Sequence, residues 1–370
     1  MPDSWFNFVM NEKVRVGVIG TGFARKVQIP AFLECTEAEI VSVASGHLEN
    51  AQKTAQELNI AHFTDDWRET VERGDVDLIC ITTPPNTHRE ITLYALERGR
   101  HVLCEKPMAM TADEAREMTE KAREKNVLAL IDHELRFLHG RLKAFEIVRS
   151  GEIGAIRHAK CNFRNGSRGS TDVGWNWWSD ERTGGGALGA IGSHSIDSLL
   201  WLLNAEVSDV FCQLQTHVKK RRDEESGEMR EVTTDDESNL VLRFADSDFA
   251  TDATATISVS TVEYPDYKNQ VELFGTKGSL RIEHRGELFI GKAGAKDWQE
   301  IDVNLGRAVE GIPDTGFSRG FMNFAAKIVE TIQTGETRIE HAATFEDGYK
   351  IQQVLDAARK SNETGAVVKL

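Results

Sequence analysis

A glycine-containing turn offers the first chemistry in the chain. Gly20-x-Gly22 follows an apolar, β-branched run and precedes a helix-like stretch. Gly20 permits a tight turn, and Gly22 lets the backbone approach a pyrophosphate that faces the helix N-terminus. A dinucleotide fingerprint wants a third small residue where Arg25 stands, and Ala24 fills that role one place earlier. A purely structural turn is the alternative, but the strand–helix units that follow favour a dinucleotide site.

The end of the second predicted strand bears on the choice of cofactor. An NAD site usually carries an acidic residue there, which accepts a hydrogen bond from the ribose 2′-hydroxyl. Here the strand is followed by Ser45, Gly46 and His47, and none of them is acidic. A 2′-phosphate would not be repelled, although no arginine is present to hold it. NAD and NADP both stay open, with a slight preference for NADP or dual use.

Two later stretches combine charged residues with glycines. Glu105-Lys106-Pro107 directly follows the apolar run HVLC, and a charged pair at the carboxyl end of a parallel strand lies where ligands bind in such sheets. In the segment GGGALGAIGSHSID, residues 184–197, glycines let the chain run close to a neighbour, and His194 then opens an apolar helix.

Length, charge and cysteine content narrow the class of protein. With 370 residues the chain is long enough for two domains. The net charge of -15 argues against nucleic acid or an anionic membrane as the main partner. Five widely spaced cysteines without a C-x-x-C pattern predict reduced thiols, no zinc site and a cytoplasmic location. We find neither a signal peptide nor an apolar stretch long enough to span a membrane.

The first third of the chain alternates strand and helix signals, which predicts a parallel sheet with helical crossovers. Thr64 and Thr111 read as helix N-caps, Thr111 in a capping box with Glu114. The strands are predicted at residues 14–19, 39–44, 76–82, 101–104 and 127–131. Helices are predicted from the Gly loop to about residue 35 and at 50–58, 65–72, 87–98 and 115–125.

The pattern changes near residue 133, where we place the domain boundary. Domain 1–133 would bind the dinucleotide after a loose extension at 1–12, and domain 134–370 would bind substrate and make oligomer contacts. A helix is predicted near 135–150, strands dominate from 156, and helices return at 317–334 and 344–361. In the segment 219–237, 13 of 19 residues are charged, which predicts a solvated hairpin loop or a mobile flap.

These features together resemble the glucose–fructose oxidoreductase, inositol dehydrogenase and rhizopine-catabolism family (Gfo/Idh/MocA). The resemblance covers nearly the whole chain. It implies a Rossmann domain followed by an α/β domain with a large open, mainly antiparallel sheet, which commonly makes the oligomer contact. The motifs that carry it are the Gly loop, TTPPNTHREITLYALERGRHVLCEKP at 82–107, the segment 184–197, FGTKGSL at 274–280 and TFEDGYKIQQVLDAARKS at 344–361.

The resemblance also implies catalytic roles. Lys106 would hydrogen-bond the reacting oxygen and hold its developing charge. His194 would be the general base that removes the alcohol proton, for which an ordinary pKa of about 6.5 is suited. Asp197, one helical turn later, would orient His194 or cap the helix. Glu105 and Pro107 would shape the turn, with a cis Lys106–Pro107 bond.

Asn86 and His88 are implied to line the nicotinamide side of the cofactor. Arg136 could contact substrate or pair with Glu134 or another acid, and Trp177 could form a sugar-stacking wall or pack structurally. We interpret His133 and His139 as structural. The full set of predicted cofactor-binding residues is Gly20, Gly22, Phe23, Ala24, Ser45, His47, Thr83, Pro84, Asn86, His88, Glu105, Lys106 and Pro107.

Some positions depart from the family pattern. Ala190 stands where many relatives carry Asp or Asn, which removes one hydrogen-bonding partner for substrate or base. Gln28 stands where relatives often have His, and Arg25 reaches a phosphate or faces solvent.

The leading hypothesis is an NAD(P)-dependent dehydrogenase or reductase of a sugar, cyclitol or sugar derivative that forms a homo-oligomer, a dimer or tetramer. One alternative is a redox-neutral, NAD-dependent glycoside hydrolase or lyase. Another is a dinucleotide-sensing regulator without enzymatic activity.

Overall fold

The first third of the chain forms a parallel sheet with helical crossovers. A computed structural model describes residues 13–223 and 226–370, so the extension predicted at 1–12 lies outside the described residues. The strands are β1 Val14–Ile19, β2 Ala38–Ala44, β3 Phe63–Thr64, β4 Leu78–Ile81, β5 His101–Cys104 and β6 Ala129–Ile131. The helices are α1 Ile29–Leu33, α2 Leu48–Leu58, α3 Trp67–Glu72, α4 His88–Glu97 and α5 Ala112–Lys125.

The strand order places a crevice beside β1. Within the described chain, this sheet has six parallel strands in the order β3-β2-β1-β4-β5-β6. The order reverses at β1, and ligands of such sheets bind outside the carboxyl ends at this switch point. All of β4 is buried, as expected of a parallel strand covered on both faces. The predicted Rossmann arrangement is confirmed.

One of the two predicted N-caps in this region is confirmed and one is wrong. The Thr111 side chain accepts a hydrogen bond from the Glu114 backbone N–H at 3.3 Å, at the start of α5. The predicted capping box is wrong in its second half, because the Glu114 carboxylate accepts from the Met110 N–H at 3.0 Å instead of from Thr111. Helix α3 is instead capped by Asp66, whose carboxylate accepts from the Arg68 N–H at 3.0 Å. Thr64 ends β3, and its hydroxyl is used locally because it accepts from the Asp66 N–H at 3.1 Å.

The second half of the chain forms a large mixed sheet. Helix α6 His139–Arg149 leads into it. Its strands are β7 Ile156–Arg164, β8 Val207–Gln215, β11 Glu237–Phe244, β12 Ala250–Ser260, β13 Lys268–Gly275, β14 Gly278–Ile282, β15 Leu288–Lys292, β16 Gln299–Ile301 and β17 Val368–Lys369. In the described residues the strand order is β16-β15-β14-β13-β7-β12-β11-β8-β17, and every neighbouring pair is antiparallel except β7 with β12.

Helices cover one face of this sheet, and the predicted mainly antiparallel architecture is confirmed. Apolar residues of α6, α7 Ser193–Leu203 and α9 Phe345–Thr364 share one core with the inward-facing residues of the strands. The predicted cap of α9 is confirmed, because Thr344 and Asp347 form a reciprocal capping box.

The charged segment 219–237 contains a two-stranded hairpin, as one of the two interpretations expected. Strands β9 Lys220–Arg222 and β10 Met229–Glu231 pair antiparallel, and Glu224 and Glu225 between them lie outside the described residues. The segment is not uniformly solvated. Arg221 is 1% exposed and donates to the backbone carbonyls of Ser170 and Val173, in the loop that follows β7. These hydrogen bonds attach the hairpin to that loop.

The chain returns to the first sheet near its end. In helix α8 Gly316–Thr334, Phe321 and Phe324 lie in the same hydrophobic core as Val16 and Leu78 of the parallel sheet. The boundary at residue 133 stays a prediction, and residues far beyond it complete the core of the first sheet. None of the described helices has the length and apolar character needed to cross a bilayer.

Candidate functional site

The turn after β1 has the geometry of a dinucleotide loop. Gly20 has φ 106°, and a Cβ there would lie 2.5 Å from the Thr82 carbonyl oxygen, so only glycine fits. The Gly20 N–H donates to the Ala44 carbonyl at 2.8 Å and ties the turn to the end of β2. A Cβ at Gly22 would meet nothing within 4 Å, so the backbone faces open space. These residues fit a bound pyrophosphate.

Ala24 and Arg25 separate into different environments. Ala24 is fully buried where the chain becomes helical, as expected of the small residue that packs helix against strand. Arg25 points to α2, where its Nε lies 2.7 Å from Glu57 Oε2. The guanidinium pairs with this carboxylate and is 37% exposed, and its contact with a phosphate stays a prediction.

No carboxylate directly follows β2. The hydroxyl of Ser45, after β2, lies beside the hydroxyl of Thr21, after β1. Ser45 is 9% exposed, and its Oγ lies 3.5 Å from Thr21 Oγ1. His47 is exposed at the start of α2 and makes no side-chain cap hydrogen bond. Phe23, between the glycine turn and the helix, is partly buried.

The loop after β4 is held by a buried histidine. His88 Nε2 lies 2.8 Å from the Thr83 carbonyl, and Nδ1 lies 3.1 Å from the Pro107 carbonyl. Burial lowers the pKa of His88, so the ring is neutral and has a single N–H to donate. Both ring nitrogens contact backbone carbonyls, and the expected place of His88 in the loop beside the nicotinamide stays a prediction. Asn86 is exposed in this loop, and Pro84 is partly exposed.

Lys106 brings the two charged motifs together. The Lys106–Pro107 bond is cis, in agreement with the implied geometry. The Lys106 ammonium lies 3.3 Å from the Ala190 carbonyl and 3.7 Å from Glu105 Oε2. The lysine at the carboxyl edge of the first sheet thus contacts the chain just before the helix that carries His194. Ala190 contributes its backbone carbonyl to this contact, and its methyl side chain offers no hydrogen bond.

His194 is buried in the first turn of α7, with one ring nitrogen engaged. It is 4% exposed, and its Nδ1 lies 3.3 Å from Nδ1 of His133. Its Nε2 is buried and has no hydrogen-bond partner in the described part of the chain. Burial, followed by the charge of Lys106, lowers the pKa of His194 well below its ordinary value. In the tautomer whose Nδ1 carries the hydrogen and donates to His133, the unpartnered Nε2 of the neutral ring can accept a proton from a ligand.

Arg136 and Asp197 are paired with each other. Arg136 Nη2 lies 2.6 Å from Asp197 Oδ1 and 3.2 Å from Asp347 Oδ1, and the guanidinium is 4% exposed. Of the two predictions for Arg136, pairing with an acid is observed, and the contact with substrate stays a prediction. Asp197 does not contact His194. It lies 3.9 Å from Nδ1 of His133, so its link to His194 runs through that ring.

Sequence reasoning missed a buried cluster of carboxyl groups and the role of His133. Gln28 Nε2 donates to Glu105 Oε1 at 3.1 Å and to Asp132 Oδ2 at 2.7 Å. Burial raises the pKa of Glu105, of Asp132 and of Glu134, that of Glu134 to about 8. The signal was the sequence DHE directly after β6. Because β5 and β6 pair in parallel, the residues that follow both strands meet at one edge.

Trp177 lies apart from this cluster. It is 39% exposed and rests against Trp178, with ring centroids 5.8 Å apart. No ring contact or hydrogen bond of its side chain reaches Lys106 or His194 in the described residues. Its substrate role stays a prediction.

Comparison with known families identifies the chain. The model of an oxidoreductase family with an NAD-binding Rossmann fold matches residues 14–133. The model of the GFO/IDH/MocA C-terminal domain matches residues 142–281, so the two models cover more than half of the chain. The chain belongs to the Gfo/Idh/MocA family of oxidoreductases. Its parallel-sheet domain is the NAD-binding domain of that family.

Individual relatives extend this result over nearly the full length. An uncharacterized oxidoreductase of Synechocystis sp. is 31% identical over 72% of this chain and 70% of its own. Human glucose-fructose oxidoreductase domain-containing protein 2 is 28% identical over 95% of this chain and 91% of its own. The structure of levoglucosan dehydrogenase with NADH and levoglucosan has a TM-score of 0.86, covering 97% of this chain and 99% of its own. At 24% identity, that likeness shows the shared fold.

Proposed function

We propose that this protein is an NAD(P)-dependent dehydrogenase or reductase that transfers a hydride at a CH–OH carbon of a sugar, cyclitol or sugar derivative. The observation that carries the proposal is the contact between Lys106 and the Ala190 carbonyl. This contact joins Lys106, at the carboxyl edge of the NAD-binding sheet, to the segment just before His194. The Nε2 atom of His194 is buried without a hydrogen-bond partner among the described residues. This pairing of a cation with a neutral base is suited to alcohol oxidation.

The side chains divide the reaction between them. A bound nicotinamide supplies the hydride acceptor for an alcohol, or the hydride donor for a carbonyl. Lys106 donates a hydrogen bond to the reacting oxygen and stabilises the negative charge that develops on it. His194 accepts the hydroxyl proton through Nε2, since Nδ1 faces His133. The CH–OH group thereby loses a hydride and a proton and becomes a carbonyl.

The class of substrate and the choice of cofactor rest on separate arguments. A sugar is supported by the family and by the related fold whose structure holds levoglucosan. Use of both NAD and NADP is supported by Ser45, Gly46 and His47 after β2, because no carboxylate there would repel a 2′-phosphate. We also propose a homo-oligomer that forms through the face of the large sheet opposite its helices.

The decisive experiment follows nicotinamide absorbance over time. Purified protein is mixed with NAD+ or NADP+ and a panel of monosaccharides, sugar acids and cyclitols. An increase with one compound would establish the dehydrogenase and define its substrate class and cofactor. The reverse reaction is assayed with the matching keto compounds and NADH or NADPH. If the protein binds dinucleotide but the absorbance changes in neither direction, the proposal is contradicted. That result would favour the redox-neutral hydrolase or lyase.

A further inference from the structure

His133 and His194 form a buried pair of imidazole rings. Their Nδ1 atoms lie 3.3 Å apart, and the rings meet edge to face with centroids separated by 5.1 Å. His133 is 2% exposed and follows β6, whereas His194 is 4% exposed in the first turn of α7. Phe317 also packs against His194, with ring centroids 5.2 Å apart. The proposed mechanism uses His194 and gives no role to His133.

The contact between the rings couples their tautomers. Burial lowers the pKa of His133 to about 4 and the pKa of His194 well below its ordinary value, so both rings are neutral at neutral pH. A neutral imidazole carries one N–H, and a hydrogen bond between two nitrogens needs one hydrogen. One Nδ1 therefore carries that hydrogen and the other is bare. His194 has a bare Nε2, which can accept a proton, only while its own Nδ1 carries the shared hydrogen.

The surroundings of His194 disfavour a positive charge on that ring. Burial has the largest effect on its pKa, and the charges of Lys106 and Arg141 lower the pKa further. Among residues 13–223 and 226–370, no carboxylate lies within ion-pair distance of His194 to offset these cations. A proton taken from a substrate hydroxyl is therefore costly to keep on His194.

The surroundings of His133 differ through one carboxylate. Asp197 Oδ2 lies 3.9 Å from Nδ1 of His133, the nitrogen that also faces His194. After burial, Asp197 has the largest effect on the pKa of His133, and it raises that pKa. The smaller effects come from two cations that lower the pKa and one further acid that raises it, Arg136, Lys106 and Asp347. A positive charge on the pair is therefore better placed on His133 than on His194.

We propose that His133 takes a proton from His194 during the reaction, so that the two rings act as a proton relay. The inference rests on the proposed function. As the substrate carbon loses its hydride, the substrate O–H bond breaks and an N–H bond forms at Nε2 of His194. The Nδ1–H bond of His194 breaks in turn, and an N–H bond forms at Nδ1 of His133. His194 ends neutral, and His133 carries the positive charge beside Asp197.

His133 acts through His194 and has no contact with the substrate in this relay. It holds His194 in the tautomer that can accept a proton, and it removes the charge that forms there. Its pKa of about 4 means that it does not keep the proton, so the pair afterwards loses the proton that alcohol oxidation releases overall. In carbonyl reduction the same bonds form and break in the opposite direction.

The tautomers can be measured without a substrate. Nitrogen NMR shifts of full-length protein with isotope-labelled histidine, recorded with and without NADH, report which nitrogens of each ring carry hydrogen. Signals that disappear in His133→Asn and in His194→Asn assign the two rings. We expect neutral rings in opposite tautomers, one with its hydrogen on Nδ1 and the other with its hydrogen on Nε2. The same tautomer in both rings, or a charged ring at neutral pH, would overturn the relay.

Two variants separate the relay from a purely structural contact. In His133→Asn an amide oxygen can still accept from the Nδ1–H of His194 but cannot take its proton, and His133→Leu does neither. Single-turnover reduction of NAD+ and NADP+ is followed with D-glucose, D-glucuronate and myo-inositol. We expect both variants to lower the rate by about 100-fold, the scale of general acid–base catalysis, and to leave KM within about threefold. A rate in His133→Asn close to that of the wild type would overturn the relay.

The number of protons that move gives an independent readout. The same single-turnover rate is measured in mixtures of H2O and D2O. Because two N–H bonds form in the relay, the wild-type rate should fall along a curve as the deuterium fraction rises. In His133→Asn, where one N–H bond forms, the dependence should be linear. A linear dependence in the wild type would overturn the relay.

His139→Asn is the matched control, because His139 is exposed and its Nδ1 faces the Asn304 carbonyl. Its rate should equal that of the wild type, and thermal unfolding and NADH binding establish that each variant is folded. Turnover together with matching tautomers in the two rings would overturn the relay and leave the dehydrogenase intact. Opposite tautomers without turnover of any compound in either direction would contradict the proposed function, and the relay with it.

Discussion

At the scale of single residues, Lys106 has the placement expected of a group that acts on a ligand. Its side chain is 20% exposed, and its ammonium has only the Ala190 carbonyl and a 3.7 Å contact with Glu105 in the described chain. Glu105 is itself buried, with a raised pKa. The ammonium can therefore donate toward the cleft without first breaking a strong ion pair.

Removing this ammonium should stop the chemistry and spare the cofactor. For Lys106→Ala we expect at least about a 100-fold loss of kcat, because a donor aimed at developing charge contributes on that scale. Dinucleotide affinity, measured by quenching of protein fluorescence, should stay within about threefold. Lys121→Ala is the control, since Lys121 of α5 pairs with the exposed Glu97 of α4 and Glu124 of α5. Unchanged turnover in Lys106→Ala would contradict the proposed mechanism.

Glu134 should make folding stability depend on pH. Burial, followed by the charge of Glu105, raises its pKa from 4.5 to about 8. The folded state therefore keeps a proton that the unfolded chain releases, so this contribution is complete below about pH 4.5 and is lost as pH rises through about 8. Glu134→Gln has no such loss, and its stability relative to wild type should rise with pH.

Urea unfolding at about pH 5 and about pH 8.5 measures this difference. The exposed Glu146 on α6 provides the control Glu146→Gln, which should show no such trend. A stability difference between Glu134→Gln and wild type that stays constant with pH would show that Glu134 is ionised in the folded protein.

At the scale of elements, the turn between β1 and the following helix uses its two glycines differently. Gly20 is required by the fold, because its φ is positive and a Cβ would overlap the Thr82 carbonyl. Gly22 is not, since a Cβ there meets no protein atom within 4 Å. Its value lies in the space that it leaves for a ligand.

A matched pair of alanine substitutions separates these roles. Gly20→Ala should destabilise the protein by about 2 kcal/mol or more, through backbone strain and overlap. Gly22→Ala should leave the unfolding temperature unchanged and weaken dinucleotide binding by about tenfold or more. Thermal unfolding and dinucleotide titration measure the two effects. If Gly22→Ala bound the dinucleotide normally, the pyrophosphate would not approach this turn.

At the scale of the whole molecule, the large sheet is covered on only one face by described elements. Val210 and Cys212 of β8 and Leu242 of β11 point into the helical core. The alternate residues Phe211 and Val241 are directly opposite each other across the two strands, and they are 41% and 50% exposed. An exposed apolar pair on a broad sheet suits contact with a second copy of the chain.

A charge on this face should weaken assembly. In Phe211→Glu, association would have to bury a carboxylate, so we expect the dissociation constant of the oligomer to rise by about tenfold or more. Sedimentation or light scattering measures the change. Met229→Glu is the control, because Met229 is 52% exposed on the separate hairpin strand β10. An oligomer equally stable in both variants would place the interface elsewhere, and a monomeric wild type would overturn the proposed assembly.

The sequence by itself determined the elements and the order of the motifs. Hydrophobic periodicity located β1 and β5 to the residue, and Thr111 and Thr344 marked the starts of their helices, because capping depends on neighbours in sequence. The Gly20 turn and Lys106 were found in the same way, since a turn and a strand end are local features. Thr64 was misassigned because Asp66 competes for the same local role.

Only the tertiary structure decided which side chains meet. Asp197 contacts Arg136 instead of His194. His133, for which the sequence predicts a structural role, contacts His194 directly. These partners are separated by about sixty residues in the chain, so no local pattern records them. Burial acts in the same way: it lowers the pKa of His194 and keeps the ring neutral, which follows from how α7 packs in the folded chain.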